Sequence, residues 1–215
     1  MKIAVVNETS SADKNAHIVA ALQDRDHEIL NMGMFKTGAE PALSYVETGL
    51  LTAILLNLRI ADFVVGGCGT GQGYMIAAMQ YPGVFCGHIR DSLDAWLFTQ
   101  INGGNCISLA LNQGYGWAAD VNLRFIFDRI FSVERGGGYP EHRREAQKKY
   151  RLSLEALSAK IHPSFAKVIE LLPEEVLSPV LRYPTVRDVL NVDRIDDGEL
   201  RAALQRRMRG IKTVR

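Results

Sequence analysis

The sequence is poor in the features that would classify it at once. Its three cysteines, at positions 68, 86 and 106, have no paired spacing and no histidine cluster beside them. That excludes a disulfide framework and a zinc-type site, and it points to reduced thiols with no bound metal. Lys and Arg (25) nearly balance Asp and Glu (24), leaving a net charge of +1. A dedicated polyanion binder carries a larger basic excess, so no nucleic-acid partner is expected. No apolar stretch reaches the roughly 18 residues that a membrane helix needs. Met1-Lys2-Ile3 runs straight into a strand-like segment rather than a charged stub and a long apolar core. A cytoplasmic protein without membrane association is the expectation. No repeat or low-complexity tract is present.

What the chain does contain is an alternation of strand and helix patterns. Strand-like runs cover residues 2–7, 28–32, 61–67, 84–89 and 106–111. Between them lie helical patterns: one with Ala16, Val19, Ala20 and Leu22 on one face, then residues 43–58, 74–80, 92–100 and 121–131. Strands that are apolar on both sides and separated by helices call for a parallel sheet covered on both faces. Residues 134–140, rich in glycine, read as a flexible break before a long charged helix that opens at Glu141. Beyond residue 151 strand signals stop, and short helical pieces are separated by Pro163, Pro173, Pro179 and Pro184. Residues 1–151 therefore read as one α/β domain and 152–215 as an all-helical extension. Arg201, Arg206, Arg207, Arg209, Lys212 and Arg215 make its last segment basic, which a solvated helix with a frayed end accounts for. Trp96 and Trp117 fit helix faces and are expected in core or dimer packing.

The stretch from Phe63 to Ala78 reads as strand, glycine-dense turn and helix start. Five glycines between positions 66 and 73 let the chain turn sharply and aim several N–H groups at one point. Cys68 and Thr70 sit inside this concavity, so a group able to take a proton lies beside donors able to steady an oxyanion. No Gly-Lys-Ser/Thr closes the loop, its glycine spacing is not the dinucleotide fingerprint, and Thr70 stands where the nucleophile elbow requires glycine. Two readings follow: a reactive thiol, or a tight turn with an inert buried cysteine. In an open parallel sheet, ligands gather at the carboxyl ends of the strands, which is where this loop and Glu8 lie. Asn102 and Asn105 precede the last strand and lie at its opposite end. They would reach Cys68 from a symmetry-related subunit, which predicts a homodimer with shared pockets.

With Cys68-Gly-Thr70-Gly-Gln-Gly73 followed by Ile76-Ala-Ala78 and Pro82-Gly-Val84, the chain resembles the sugar-phosphate isomerases of the type B ribose-5-phosphate and galactose-6-phosphate isomerase family. The resemblance runs from Lys2 to about Tyr150. It implies a Rossmann-like three-layer sandwich with a five-stranded parallel sheet, a homodimer or higher oligomer, and cofactor-free interconversion of aldose and ketose phosphates. It further implies that Cys68 is the base moving a proton between C1 and C2, beside Thr70, with the amides around Gly67, Gly69, Gly71 and Gly73 holding the enediolate. Asn102 would bind the enediolate oxygen, Glu8 a sugar hydroxyl, and Arg144 with its neighbour Arg143 the phosphate.

The departures are as informative. The family's Asp-His pair after the first strand is Glu8-Thr9, its Asp-Tyr-Pro-His segment is Ser44-Tyr45-Val46-Glu47, and its His-Asn pair is Ile101-Asn102. An arginine after the last strand is replaced by Asn112-Gln113. Ile101 cannot carry a proton to a ring oxygen, so an already open substrate such as a tetrose phosphate fits, unless His17, His88 or His142 substitutes. Two other classes are weighed: a non-catalytic sugar-phosphate sensor, and a thiol hydrolase or transferase, which would need a histidine beside Cys68.

Overall fold

The computed structural model describes residues 1–23 and 25–210. Five strands, β1 (Lys2–Asn7), β2 (Glu28–Asn31), β3 (Phe63–Cys68), β4 (Cys86–Ile89) and β5 (Cys106–Ala110), form one sheet in the order β2-β1-β3-β5-β4. Every pairing is parallel. Side chains alternate across it: Ile3 and Val5 enter one apolar cluster, Ala4 and Val6 the other. The first cluster is closed by α1 (Asn15–Leu22), α4 (Ser92–Leu97, continued as a wider turn to Asn102) and α5 (Ala119–Phe131). The second is closed by α2 (Tyr45–Asn57) and α3 (Gln72–Ala78).

A helix that is apolar on one stripe is covered on one side, whereas α2 is buried continuously from Thr48 to Leu55. Its second covering comes from the extension. After α6 (Arg144–Ile161), the helices α7 (Phe165–Leu171), α8 (Glu174–Arg182), α9 (Pro184–Val189) and α10 (Gly198–Gly210) put Ile169, Leu177, Val180, Val186, Ala203 and Leu204 into the same cluster as Leu50 and Ile54. The start of α2 is fixed by a capping box in which Ser44 accepts from the Val46 N–H and Glu47 accepts from the Ser44 N–H at 2.8 Å.

Several expectations are corrected. The buried face of α1 is Asn15, Ile18, Ala21 and Leu22, while Ala16 and Ala20 are exposed. A polar residue on the inward face concealed the stripe: Asn15 hydrogen-bonds Asn7 at 2.7 Å and Asn31 at 2.8 Å. The 134–140 segment is tied rather than loose, with Gly136 N–H on Thr99 O at 2.7 Å and Gly138 N–H on Gln100 O at 2.8 Å. Trp117 lies in the turn before α5, fully exposed, whereas Trp96 packs edge-on against Tyr139. Helix α6 runs unbroken through positions 151 and 152, which leaves the division into domain and extension open. Along α10, Arg206 pairs with Glu170, and Arg207 pairs with Glu174 and donates to Leu172 O. Lys212 and Arg215 lie outside the described residues.

Candidate active site

Winding reverses between β1 and β3, so a crevice opens at their carboxyl ends. Cys68 is the last residue of β3 and only 5 % exposed in the single chain. Glu8 follows β1, and its N–H donates to Gly67 O at 3.2 Å. Its carboxylate is already engaged, accepting the Ser10 N–H at 3.0 Å and the Ser10 hydroxyl. Glu8 thus caps the helical turn Thr9–Lys14. Beneath it, Asn7 donates to Ser11 O and Met34 O and accepts from Asn15, a fully satisfied buried network that makes a rigid floor.

The glycine loop is held from several directions. Cys68 O accepts from Gly71 N–H and Leu111 N–H, and Gly69 O accepts from both Asn112 and Gln113 N–H at 2.9 Å. Gly71 is left-handed (φ 75°), and the Ser108 hydroxyl donates to its carbonyl at 2.5 Å. The Thr70 hydroxyl accepts from the Gln72 N–H, the first of α3, at 3.3 Å. Among the described residues, no backbone acceptor faces the N–H groups of Gly69, Thr70 and Gly73. Cys68 itself belongs to the apolar cluster under α2 and α3, and the three donors follow it directly in the chain; donors of this kind are what an enediolate oxygen requires.

Three residues not assigned a role from the sequence join this group, of which Tyr45 and Asn112 stand at positions the family resemblance marks. The Tyr45 ring lies against Gly73, 3.1 Å from where a Cβ would project. Ser10 Oγ and Asn112 Nδ2 stand 3.6 and 3.4 Å from the corresponding point on Gly69, and Asn112 Nδ2 donates to Ser10 O. The capping box was the available signal for Tyr45, because a crossover helix starts at the carboxyl edge of a parallel sheet.

Asn102, Arg143 and Arg144 form a separate group at the other edge. Asn102 ends the wide turn after α4, and Arg143 and Arg144 open α6; all three are exposed. Arg151 ties this group together by donating to Ile101 O at 3.1 Å and Gly136 O at 2.6 Å. Ala110 is the register partner of Cys68, and Asn102 lies eight residues before it. The four steps along the strand from Cys106 to Ala110 alone span about 13 Å, so one chain does not bring the two groups together. Asn105 is not available as a ligand, since it clamps Phe85 N–H at 2.9 Å and Gly83 O at 2.7 Å.

Of the candidate histidines, His17 bonds the Tyr115 hydroxyl at 2.8 Å and His142 is exposed. His88 stands against Gly71, on the same face of the sheet as Cys68, its Nε2 buried and without a partner among the described residues. The other two cysteines, 86 and 106, are buried register partners; the Cys86 thiol is pushed well above its ordinary value by its hydrogen bond to Cys106 and by burial. A pocket of about 480 Å³ opens beyond β4 and β5, with Gln72, Arg90, Gln113 and Trp117 on its wall.

Comparison with known proteins fixes the family. The sequence profile of a ribose/galactose isomerase family matches residues 3–133. The crystal structure of a 4-deoxy-L-threo-5-hexosulose-uronate ketol-isomerase complexed with a tartrate is 36 % identical, covering 97 % of this chain and 100 % of that one, with a TM-score of 0.90. A ribose-5-phosphate isomerase from Vibrio parahaemolyticus is also 36 % identical, over 88 % of this chain and 91 % of its own, with a TM-score of 0.84. A ribose-5-phosphate isomerase B from Clostridium thermocellum, at 24 % identity over 75 % of this chain and a TM-score of 0.60, shares the fold. No curated protein sequence matches. The five-stranded parallel sheet, the glycine loop ending β3 and the profile agree: the chain belongs to the ribose/galactose isomerase family.

Proposed function

We propose that the protein interconverts an open-chain aldose and its ketose, using Cys68 as the proton carrier. The thiolate removes the proton on C2, the electron pair moves to form the C1–C2 enediolate with its charge on O1, the C2 hydroxyl proton passes to O1, and the same sulfur returns its proton to C1 as C2 becomes the ketone. The oxygen that gains charge meets the N–H groups of Gly69, Thr70 and Gly73. The observation that supports this reading is that the strand end carrying Cys68 runs directly into a loop whose Gly69, Thr70 and Gly73 N–H groups meet no backbone acceptor among the described residues. Tyr45 walls the substrate, and Glu8 and Ser10, bonded to each other, present the hydroxyl-binding edge.

The working unit of this reading is a homodimer. Asn102, Arg143 and Arg144 serve a site only if the partner's copies are delivered to it. On α6, Tyr150, Leu154, Leu157 and Ile161 form an apolar stripe at helical spacing, each at least 50 % exposed. Pairing this stripe across a two-fold axis covers it and places the arginines that open α6 at the seam. The partner's Asn102 then meets the enediolate, and the partner's Arg143 and Arg144 grip an anionic end group.

Ile101 makes the substrate an open one. The substrate named for the ketol-isomerase relative satisfies that demand: without a C4 hydroxyl and with a ketone at C5, it closes neither a five- nor a six-membered ring on its aldehyde. Its carboxylate suits an arginine pair as well as a phosphate does. We therefore assign a 4-deoxy-5-keto uronate, or a closely related open sugar acid, as the substrate class. A phosphorylated sugar is the second reading, favoured by the equally identical ribose-5-phosphate isomerase. Turnover in deuterated water of the uronate, a tetrose phosphate and ribose 5-phosphate decides between them. The uronate should take up solvent deuterium fastest. A clear preference for ribose 5-phosphate overturns the open-chain assignment, and binding without exchange makes the protein a sensor.

A further inference from the structure

The extension contains one polar contact that reaches toward the site. Tyr183, at the end of α8, is 3 % exposed, and its hydroxyl donates to Gly33 O at 2.9 Å, across 150 positions of sequence. Gly33 opens the segment 33–44, which crosses from β2 to α2 over the carboxyl edge of the sheet. From the sheet side, Asn7 Nδ2 donates to the next carbonyl, Met34 O, at 2.8 Å, and Met34 N–H returns a bond to Asn7 O at 2.9 Å. The far end is fixed by the Thr9 N–H on Leu43 O at 2.9 Å and by the Ser44 capping box. Between these anchors the segment is largely exposed, Phe35 reaching 60 %. It leads directly into Tyr45, which lies against Gly73 of the loop.

We infer that Tyr183 is a positioning residue, through which the C-terminal helices brace the 33–45 wall of the isomerase site. The inference rests on the reading of the glycine loop as the substrate cradle. A phenylalanine would fill the same apolar space beside Val180 and Val186; only the hydroxyl reaches the Gly33 carbonyl. Burial raises the phenol above its ordinary value, so the group remains a donor. The helices then have a task beyond covering α2: they fix the near end of a twelve-residue segment whose far end carries the wall of the pocket.

The test compares Tyr183→Phe with Ile169→Val, a change in the same buried cluster that removes no hydrogen bond. In Tyr183→Phe, amide hydrogen exchange at Met34 and Thr9 should quicken by about tenfold, with Ile169→Val matching the wild type. On the preferred aldose, KM should rise by about fivefold with kcat little changed, the signature of lost uniform binding, and again only in Tyr183→Phe. Equal exchange in the two variants overturns the brace. Faster exchange with unchanged KM overturns its link to the site. If the wild type turns over no aldose, the functional reading fails on its own, and the exchange measurement still decides whether Tyr183 holds the segment.

Discussion

Replacing Gly71 with alanine puts a methyl group where there is no space and imposes a backbone that alanine resists. The φ angle is +75°, which costs an L-residue about 1–2 kcal/mol. The new Cβ would stand 2.6 Å from His88 Nε2, 2.7 Å from His88 Cδ2 and 3.1 Å from the Leu109 carbonyl carbon. The first two belong to a packed ring and the third to strand backbone, so relief requires the imidazole to move, at about 1–3 kcal/mol. Gly71→Ala should therefore destabilise by about 2–5 kcal/mol in urea denaturation. The two parts are separable. In a His88→Ala background the clash with the ring disappears and the tight approach to Leu109 remains, so the same substitution should cost about 1–2 kcal/mol or slightly more, a coupling of about 1–3 kcal/mol in the double-mutant cycle. Turnover should drop in both backgrounds, because the shifted peptide carries the Thr70 and Gly73 donors away from the oxyanion; losing one such donor is worth about 10²–10³ in kcat. A cost below about 1 kcal/mol, or an equal cost with and without His88, would refute the reasoning.

Two further outcomes are expected. Burial, and secondarily the charge of Glu47, raise the Tyr81 phenol to about 12 from 10.0. The folded state then holds this proton more tightly than the unfolded one, so its stabilising effect is complete below about pH 10 and is lost as pH rises toward about 12. Melting temperatures across that window should fall less steeply in Tyr81→Phe than in the wild type, and equal slopes would contradict the assignment. For the dimer, Leu154→Glu with Leu157→Glu should give monomers in sedimentation and abolish turnover. Mixing inactive Cys68→Ala with inactive Asn102→Ala subunits should restore part of the activity through hybrid dimers, whereas no recovery on subunit exchange would show that the two groups do not meet across an interface.

The sheet was legible because each strand is a short apolar run bounded by turn residues, and because a parallel sheet buried on both faces needs little else to declare itself. Helix faces were less so. The buried stripe of α1 includes Asn15, whose polarity is satisfied only by Asn7 and Asn31, two positions brought close by the sheet. The continuous burial of α2 likewise depends on helices more than a hundred residues later. Cys68, Thr70 and the loop glycines were visible as one contiguous motif. Tyr45 and Asn112 were marked only by the resemblance and Ser10 not at all, since the three reach the loop from separate strand ends and no spacing links them. Asn105 shows the converse: its position in the chain suggested a ligand, yet both ends of its side chain are used in joining Gly83 and Phe85 to β5.

The central claim is that the Cys68 sulfur carries the proton between adjacent sugar carbons. Its most direct test is the rate at which Cys68→Ala introduces solvent deuterium into the aldose, measured by mass spectrometry under conditions where the melting temperature shows the fold intact. The account predicts a loss of about 10³-fold or more, the scale of a removed general base. Exchange at a rate near that of the wild type would contradict it and move the chemistry to another residue.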